Sequence, residues 1–142
     1  MNYFKTFQIS SAGMAAQKAR IEAAAINLAN ANVSSPSGTT GYRPVRAVIH
    51  AAPTPFSMIV QGQTASLVRA EIVPQPSVAA RLVYEPGHPH ADAAGMVAYP
   101  GIDHTSEMLT VVSATRSYEA NLAALQASRT LMNRALEIGG GQ

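Results

Sequence analysis

The sequence predicts an α+β protein, with long N- and C-terminal α-helices that form a coiled-coil-like helical domain and a small β-rich insert of antiparallel hairpins between them. Three observations predict this class. Apolar residues recur at helical spacing at both ends of the chain, all nine prolines lie between positions 36 and 100, and strand-like alternation is confined to that same middle region. The corresponding segments are residues 1–32, 33–102 and 103–142.

The N-terminal segment carries a line of large apolar residues, one every seven positions: Phe7, Met14, Ile21 and Leu28. This spacing places them along one face of a helix that covers about residues 4–31. The many alanines between them favour a helix and allow another helix to approach closely. Gly13 costs about 1 kcal/mol relative to alanine in a helix, so it and the serines before it mark either a bend or the true start.

The middle of the chain changes first to turn-forming and then to β-branched residues. Asparagines in residues 27–32 favour helix caps and left-handed turns, and residues 34–41 are rich in Ser, Gly and Thr. Partial alternation of apolar and polar residues predicts three or four short strands, within residues 42–49, 67–73, 81–84 and 95–99. Because fewer than about 60 residues hold only a thin core, we expect this insert to lean on another part of the chain.

The C-terminal segment repeats apolar residues at alternating spacings of three and four, which predicts a helix over residues 103–138 with a heptad-like seam. Asp103 is the expected N-cap, and the glycines at 139–141 provide a stop. Arg129 occupies a seam position, where it either sets the register of a helix bundle or snorkels outward. At roughly 50 Å, such a helix needs a partner to cover its stripe. The seam consists of Met108, Val111, Tyr118, Leu122, Leu125, Met132 and Leu136.

The composition excludes several functional classes. Charged residues make up only 13% of the chain and the net charge is +2, with no basic run, which argues against a nucleic-acid-binding protein. Few charges also indicate that neighbouring molecules cover much of the surface. Cysteine is absent, so disulfides and thiolate chemistry are excluded. No apolar stretch is long enough to span a membrane, and the N-terminus lacks the pattern of a cleaved secretory signal.

The sequence contains no convincing catalytic, metal or cofactor site. His88 and His90 flank a proline and are the best ligand candidates, but no further frame fixes them; the competing interpretation is a rigid, exposed loop tip. No histidine is in register with the serines of the C-terminal helix to act as a base. Arg116 and Glu119 form either a solvated i,i+3 pair or an intersubunit contact.

Four segments, in the same order along the chain, resemble the bacterial flagellar axial (rod and hook) protein family, and within it the proximal-rod members. Residues 27–32 (NLANAN) look like the family's asparagine motif, and residues 41–48 (GYRPVRAV) resemble its tyrosine–arginine strand. Residues 84–92 and 95–100 are similar to a loop and strand of the proximal-rod members. Residues 107–108 and 113–121 resemble the C-terminal signature. His90 and residues 101–103 depart from the family pattern.

The resemblance implies a structural, non-enzymatic subunit of the proximal rod, which assembles helically with itself through its terminal helices into a drive shaft around the export channel. It implies partners among the other proximal and distal rod proteins, the membrane-ring/rod adaptor and the export gate, but no nucleic acid or small-molecule substrate. It also implies a periplasmic rod location, reached through the flagellar type III apparatus without a cleaved signal. The alternative is a small coiled-coil adaptor. The predicted assembly interface consists of Phe7, Met14, Ile21, Leu28, Asn30, Asn32, Met108, Val111, Tyr118, Leu122, Leu125, Met132 and Leu136.

Overall fold

The structure is a computed structural model that describes residues 3–36, 39, 41–51, 68–76 and 78–139. In chain order, the elements are helix α1 (Tyr3–Asn30), strands β1 (Val45–Ala51), β2 (Val68–Pro74), β3 (Arg81–Tyr84) and β4 (Met96–Tyr99), and helix α2 (His104–Gly139). This order confirms the predicted α+β class, with a helix at each end and short antiparallel strands between them.

Helix α1 runs without a break through Ser10, Ser11 and Gly13. The helix therefore starts before these residues, and the later start that they suggested is wrong. At its end, the amide of Val33 donates to the carbonyl of Asn30 at 3.1 Å, so the chain turns within the asparagine-rich segment. The structure thus agrees with the predicted end of this helix.

Asp103 caps helix α2 as predicted. Its carboxylate accepts a hydrogen bond from the amide of Thr105 at 3.0 Å, and its carbonyl accepts one from the amide of Glu107 at 3.0 Å. Glu107 places a negative charge in the first turn, where the helix dipole favours it. The 36 residues of α2 extend for about 54 Å, against about 42 Å for the 28 residues of α1.

The strands form two separate antiparallel pairs, β1 with β2 and β3 with β4. Ala47 lies opposite Ile72 in the first pair, and Val83 lies opposite Val97 in the second. Strand β1 begins later than predicted, directly after Pro44, which has no amide hydrogen to contribute to a ladder. Strand β4 begins after Gly95, whose φ of 76° lies in the left-handed region that glycine favours and completes the turn before the strand. Leu67, the expected start of β2, lies outside the described residues.

The two helices pack antiparallel to each other. Gly13 of α1 faces Asn121 of α2, and Asn27 of α1 is hydrogen-bonded to Glu107 near the start of α2. Both helices advance by the same number of residues between these contacts, so the register is constant along the pair. A Cβ atom on Gly13 would lie 2.9 Å from Asn121 Oδ1, which shows how closely the helices approach. Helix α1 also packs against β1 and β2.

Among the described residues, the same register leaves part of α2 beyond the end of α1. Tyr3, where α1 begins, is level with about residue 131 of α2, and the rest of α2 continues beyond that point. Leu136 and Ile138 in this extension are 66% and 85% exposed. This extension therefore presents large apolar side chains that are available for contact with another molecule.

Small side chains dominate the core of the described residues. The buried apolar residues are Val97 and the alanines 16, 23, 24, 31 and 114. Val97 is fully buried and is next to Ala98, whose carbonyl accepts a hydrogen bond from the amide of Ser35 at 3.0 Å. With few large side chains buried, specific hydrogen bonds become important for fixing how the elements are joined.

Candidate functional site: the terminal helices and their asparagine junction

Asn27 joins the N-terminal helix to the first strand. Its side chain is 1% exposed. The amide nitrogen of Val45 donates to Asn27 Oδ1 at 2.8 Å, and Asn27 Nδ2 donates to the carbonyl of Val45, also at 2.8 Å. The carboxamide therefore pairs with the first residue of β1 as a neighbouring strand would. This pair fixes where β1 leaves the turn segment and how it lies against α1.

Two further hydrogen bonds extend the junction to α2. Asn27 Nδ2 donates to Glu107 Oε1 at 2.9 Å, and the Tyr42 hydroxyl donates to Asn27 Oδ1 at 2.9 Å. A carboxamide has two N–H donors and two acceptor sites on its oxygen, so all four positions of Asn27 are used. We call Asn27, Tyr42, Val45 and Glu107 the asparagine junction, because they tie α1, β1 and α2 together at one point.

The asparagine junction disfavours ionisation of Tyr42. Burial, and secondly the negative charge of Glu107, raise the pKa of Tyr42 above its usual value. Near neutral pH, the hydroxyl therefore keeps the proton that it donates to Asn27.

We expect this raised pKa to contribute stability that is lost in alkali. The folded state holds the Tyr42 proton more tightly than the unfolded state does, so the contribution is complete below the unfolded pKa of about 10. It falls as the pH rises from there through the folded pKa. Urea midpoints measured between pH 9 and 11 should decline, and Tyr42→Phe should decline less steeply. Equal slopes for the two proteins would contradict the role of Tyr42.

The other two asparagines that the sequence marked as interface residues behave differently from Asn27. Asn30 is half-buried, and its Nδ2 donates to the carbonyl of Ile26 within the same helix at 2.8 Å. Asn32 is exposed in the turn after α1. Sequence reasoning placed Asn30 and Asn32 in the interface but missed Asn27, whose place in the asparagine motif was the available signal.

The apolar line on α1 lies beside the helix–helix contact. Phe7, Met14, Ile21 and Leu28 are all half-buried. The most buried positions of α1 are instead Ser10, Ala16, Ala23, Ala24 and Asn27. The large side chains thus keep apolar surface available to further molecules, and their role in assembly remains a prediction.

The seam on α2 is similarly displaced from the buried face. Ala114 is the buried residue of α2, and Val111, Leu125 and Met132 are half-buried. The remaining seam residues are more exposed: Tyr118 36%, Leu122 37%, Met108 61% and Leu136 66%. Arg129 is exposed, in agreement with the snorkelling alternative. The residues of the heptad pattern are therefore not the most buried residues of α2.

Four more apolar residues of α2 are exposed, and the predicted seam did not include them. Leu109 and Val112 are exposed beside Met108, while Leu131 and Ile138 are exposed toward the other end. They stand outside the three–four repeat, so a search for one stripe passes over them. Together with the exposed seam residues, they give α2 apolar surface on more than one side, as expected for a helix with several neighbours.

His88, His90 and Ser34 form a contact within the chain, which we call the histidine clasp. Both histidines are half-buried, whereas Pro89 between them is exposed, so the loop tip is exposed only in part. The amide of His90 donates to His88 Nδ1 at 3.0 Å, and Ser34 Oγ lies 2.9 Å from His90 Nδ1 and 3.4 Å from His88 Nε2. Ser34, distant in sequence, is held beside the loop by the neighbouring Ser35–Ala98 bridge.

No metal centre emerges around this clasp. Within the residues that the structure describes, no group of three or more His, Cys, Asp or Glu side chains is placed to hold a metal ion. Asp92, the nearest acidic candidate in the sequence, instead accepts hydrogen bonds from the amides of Ala94 and Met96, each at 2.9 Å. The Tyr99 hydroxyl donates to Glu85 at 3.0 Å, and this bond raises the pKa of Tyr99. These polar groups thus serve the β3–β4 loop.

Among the described residues, neither helix has the length and apolar character needed to cross a membrane.

Comparison with known proteins identifies relatives along nearly the whole chain. A family model described as the flagellar basal body rod FlgEFG protein C-terminal region matches residues 93–138. The flagellar basal-body rod protein FlgC of Yersinia enterocolitica is 38% identical over 141 residues, covering 98% of this chain and 99% of the relative. FlgC of Salmonella typhimurium is 37% identical over 140 residues, with the same two coverages.

A more distant relative shows the same correspondence. FlgC of Bacillus subtilis is 32% identical over 149 residues, again covering 98% of this chain and 99% of the relative. The family-model match includes α2 from its start to Ile138, and the asparagine junction lies inside the length aligned with the relatives. The resemblance seen in the sequence is thereby confirmed: this chain belongs to the FlgC family of flagellar basal-body rod proteins and is a structural rod subunit of the bacterial flagellar basal body.

Proposed function

We propose that this rod subunit occupies the proximal rod and builds it by helical packing of its terminal helices against those of neighbouring subunits. The resulting shaft transmits torque and encloses the export channel. The exposed apolar surface of α2 carries this proposal. Met108, Leu136 and Ile138 are 61%, 66% and 85% exposed, although each lies on a regular helix. Leaving such side chains in water costs free energy that contact with neighbouring subunits recovers.

The three segments then have separate tasks. Residues 1–32 and 103–142 supply the helical assembly domain, and residues 33–102 form the β-rich insert. The asparagine junction keeps the insert attached at one end of the helix pair, where Asn27 binds both Val45 and Glu107. We propose no catalytic role and no cofactor for any of the three segments. Its function is to hold a defined shape under load.

A position in the proximal rod determines which molecules the chain contacts. We propose that the helices contact further copies of the chain, other proximal and distal rod proteins, the membrane-ring/rod adaptor and the export gate. The assembled rod lies in the periplasm. The subunit reaches it through the flagellar type III apparatus and keeps its N-terminus.

Complementation in a strain that lacks this protein tests the proposed function. The expected result is loss of swimming and of assembled rods in the deletion strain, with both restored by the wild-type chain. The chain should also be present in hook–basal bodies purified from the complemented strain. A deletion strain that still builds normal basal bodies would contradict the proposal. Recovery of the chain only from a soluble complex would instead support the coiled-coil adaptor alternative.

Export without cleavage predicts the mass of the assembled protein. The chain recovered from purified basal bodies should begin at Met1 or Asn2, because type III export is proposed to leave the N-terminus intact. Intact-mass spectrometry of the basal-body fraction measures this, and the cytoplasmic pool of the same cells is the matched control. Loss of a longer N-terminal segment from the basal-body pool alone would refute uncleaved export.

A further inference from the structure

The outward side of α1 carries two charges of opposite sign. Lys18 and Glu22 are exposed, one turn apart, and the residues around them on that side are the exposed alanines 15, 25 and 29. At about 100° per residue, Lys18 and Glu22 point roughly 140–180° away from the side of α1 that carries Gly13 and Asn27. Those two residues face α2. This surface, the α1 outer face, is therefore directed away from the partner helix.

The outward side of α2 has the same character. Arg116 and Glu119 are exposed and are surrounded by Val112 and by the alanines 120, 123 and 127, all exposed. Arg116 and Glu119 point roughly 120–180° away from the side that carries Glu107 and Asn121. We call this surface the α2 outer face. The helix pair thus presents two outer faces on its opposite sides, each with one positive charge, one negative charge and small side chains.

None of these four charged residues has an ion-pair partner among the residues that the structure describes. The register of the helix pair also limits how two copies can meet. Gly13 is level with Asn121 and Asn27 with Glu107, so Lys18 is level with Arg116. Two copies set side by side at equal height would therefore bring these like charges together.

A small axial displacement turns this repulsion into attraction. If the second copy is shifted by three to four residues along the helix axis, Lys18 faces Glu119 and Glu22 faces Arg116. At 1.5 Å per residue, this shift is about 5 Å. One displacement satisfies both pairs, because the charges have opposite order along the shared axis: the positive charge comes first on the α1 outer face and the negative charge comes first on the α2 outer face. The alanines around them let the backbones approach closely.

We propose that the α2 outer face of one copy docks on the α1 outer face of the next copy in the same orientation, displaced by about 5 Å along the helix axis. The occupant of each face is thus a second copy of this chain, chosen by charge complementarity. The inference rests on the proposed function, of which it specifies one interface. The contact joins two different surfaces, so it does not close on itself as a two-fold dimer does. Repeated with a constant rise, it generates a helix of subunits.

Cysteine cross-linking in assembled basal bodies tests this register, and the absence of native cysteine makes the readout unambiguous. The displacement puts Ala25 of one copy level with Val112 of the next. Ala25→Cys combined with Val112→Cys should therefore form disulfides between copies on mild oxidation. Within one chain the two positions lie on opposite sides of the helix pair, too far apart for a disulfide. The matched control, Ala25→Cys with Ala123→Cys, places the thiols roughly 15 Å apart along the axis.

The pattern of products distinguishes the possible contacts. The proposed contact predicts a ladder of dimers, trimers and longer species from the Ala25/Val112 variant, with at least a fivefold lower yield from the control. Dimers alone would indicate a two-fold contact and would overturn the proposal. Equal yields from both variants would overturn the stated register. If the wild-type chain is missing from the basal bodies, the proposed function itself fails; if it is present and no ladder forms, only the interface fails.

Charge exchange gives a second readout on the same interface. Glu119→Lys alone should reduce incorporation into basal bodies at least threefold, because Lys18 of the next copy then meets a positive charge. Lys18→Glu combined with Glu119→Lys should restore incorporation to near the wild-type level. Failure of the double variant to recover, with soluble protein at the wild-type amount, would show that these charges do not face each other.

Discussion

Asn27→Ala is expected to lower the free energy of unfolding by about 2–4 kcal/mol, a large loss for a domain of this size. Asn27 is 1% exposed and makes four hydrogen bonds. Alanine would leave the amide and carbonyl of Val45 unpaired, and each buried unpaired group costs about 1–3 kcal/mol. It would also release Glu107 from its tie to α1.

Urea unfolding at neutral pH measures this effect through the midpoint, provided that the slope stays constant. Asn30→Ala is the matched control. It removes the same side chain from the same motif, but Asn30 makes one bond to its own helix. Its expected cost is about 0.5–1 kcal/mol. Equal losses in the two variants would mean that the asparagine junction does not hold the elements together.

Leu136→Asp is expected to block incorporation into the basal body while leaving the free energy of unfolding of the isolated chain within about 0.5 kcal/mol. Leu136 is 66% exposed and lies beyond the end of α1, so it contributes little to the single chain. In the proposed rod, neighbouring subunits bury this position, where an unpaired carboxylate is costly.

Asn133→Asp provides the control for added charge. It places the same carboxylate one turn earlier in α2, at a position that is exposed and already polar. This variant should incorporate at about the wild-type level, as judged by immunoblotting of purified basal bodies against the soluble pool. Normal incorporation of Leu136→Asp would show that the extension of α2 is not an assembly surface.

Local patterns were sufficient to predict the helices, most of the strands and the cap at Asp103. Apolar periodicity, the position of the prolines and a capping side chain all act over a few residues, so they can be recognised without the fold. The overall family was equally accessible, because its motifs are short and occur in a fixed order.

The junction around Asn27 could not be derived in the same way. Its partner Glu107 is 80 residues away in the sequence, and Val45 is 18 residues away. Asparagine near a helix end more often indicates a cap or turn, so the asparagine motif was interpreted only as the end of the N-terminal helix. Nothing in the sequence alone distinguished the asparagine that bridges three elements from its neighbours at 30 and 32.

The contact between α1 and α2 carries a weak signal in the sequence for a different reason. A heptad search favours large side chains, whereas α1 and α2 meet through Gly13, alanines and Asn121. Small residues allow closer approach and bury less area per residue, which weakens their signal in a hydropathy pattern. The large side chains of Phe7, Leu122 and Leu136 retain exposed surface. The contact between α1 and α2 thus uses small residues, and the larger apolar side chains remain available for the proposed contacts between chains.

Electron cryomicroscopy of purified basal bodies at side-chain resolution tests the central claim most directly. We expect α1 and α2 of this chain to lie in the wall of the shaft, with Met108, Leu136 and Ile138 covered by neighbouring subunits. The Asn27–Val45 and Asn27–Glu107 hydrogen bonds should persist in the assembled subunit. Terminal helices that face solvent, with contacts between subunits made by the β-rich insert alone, would contradict it.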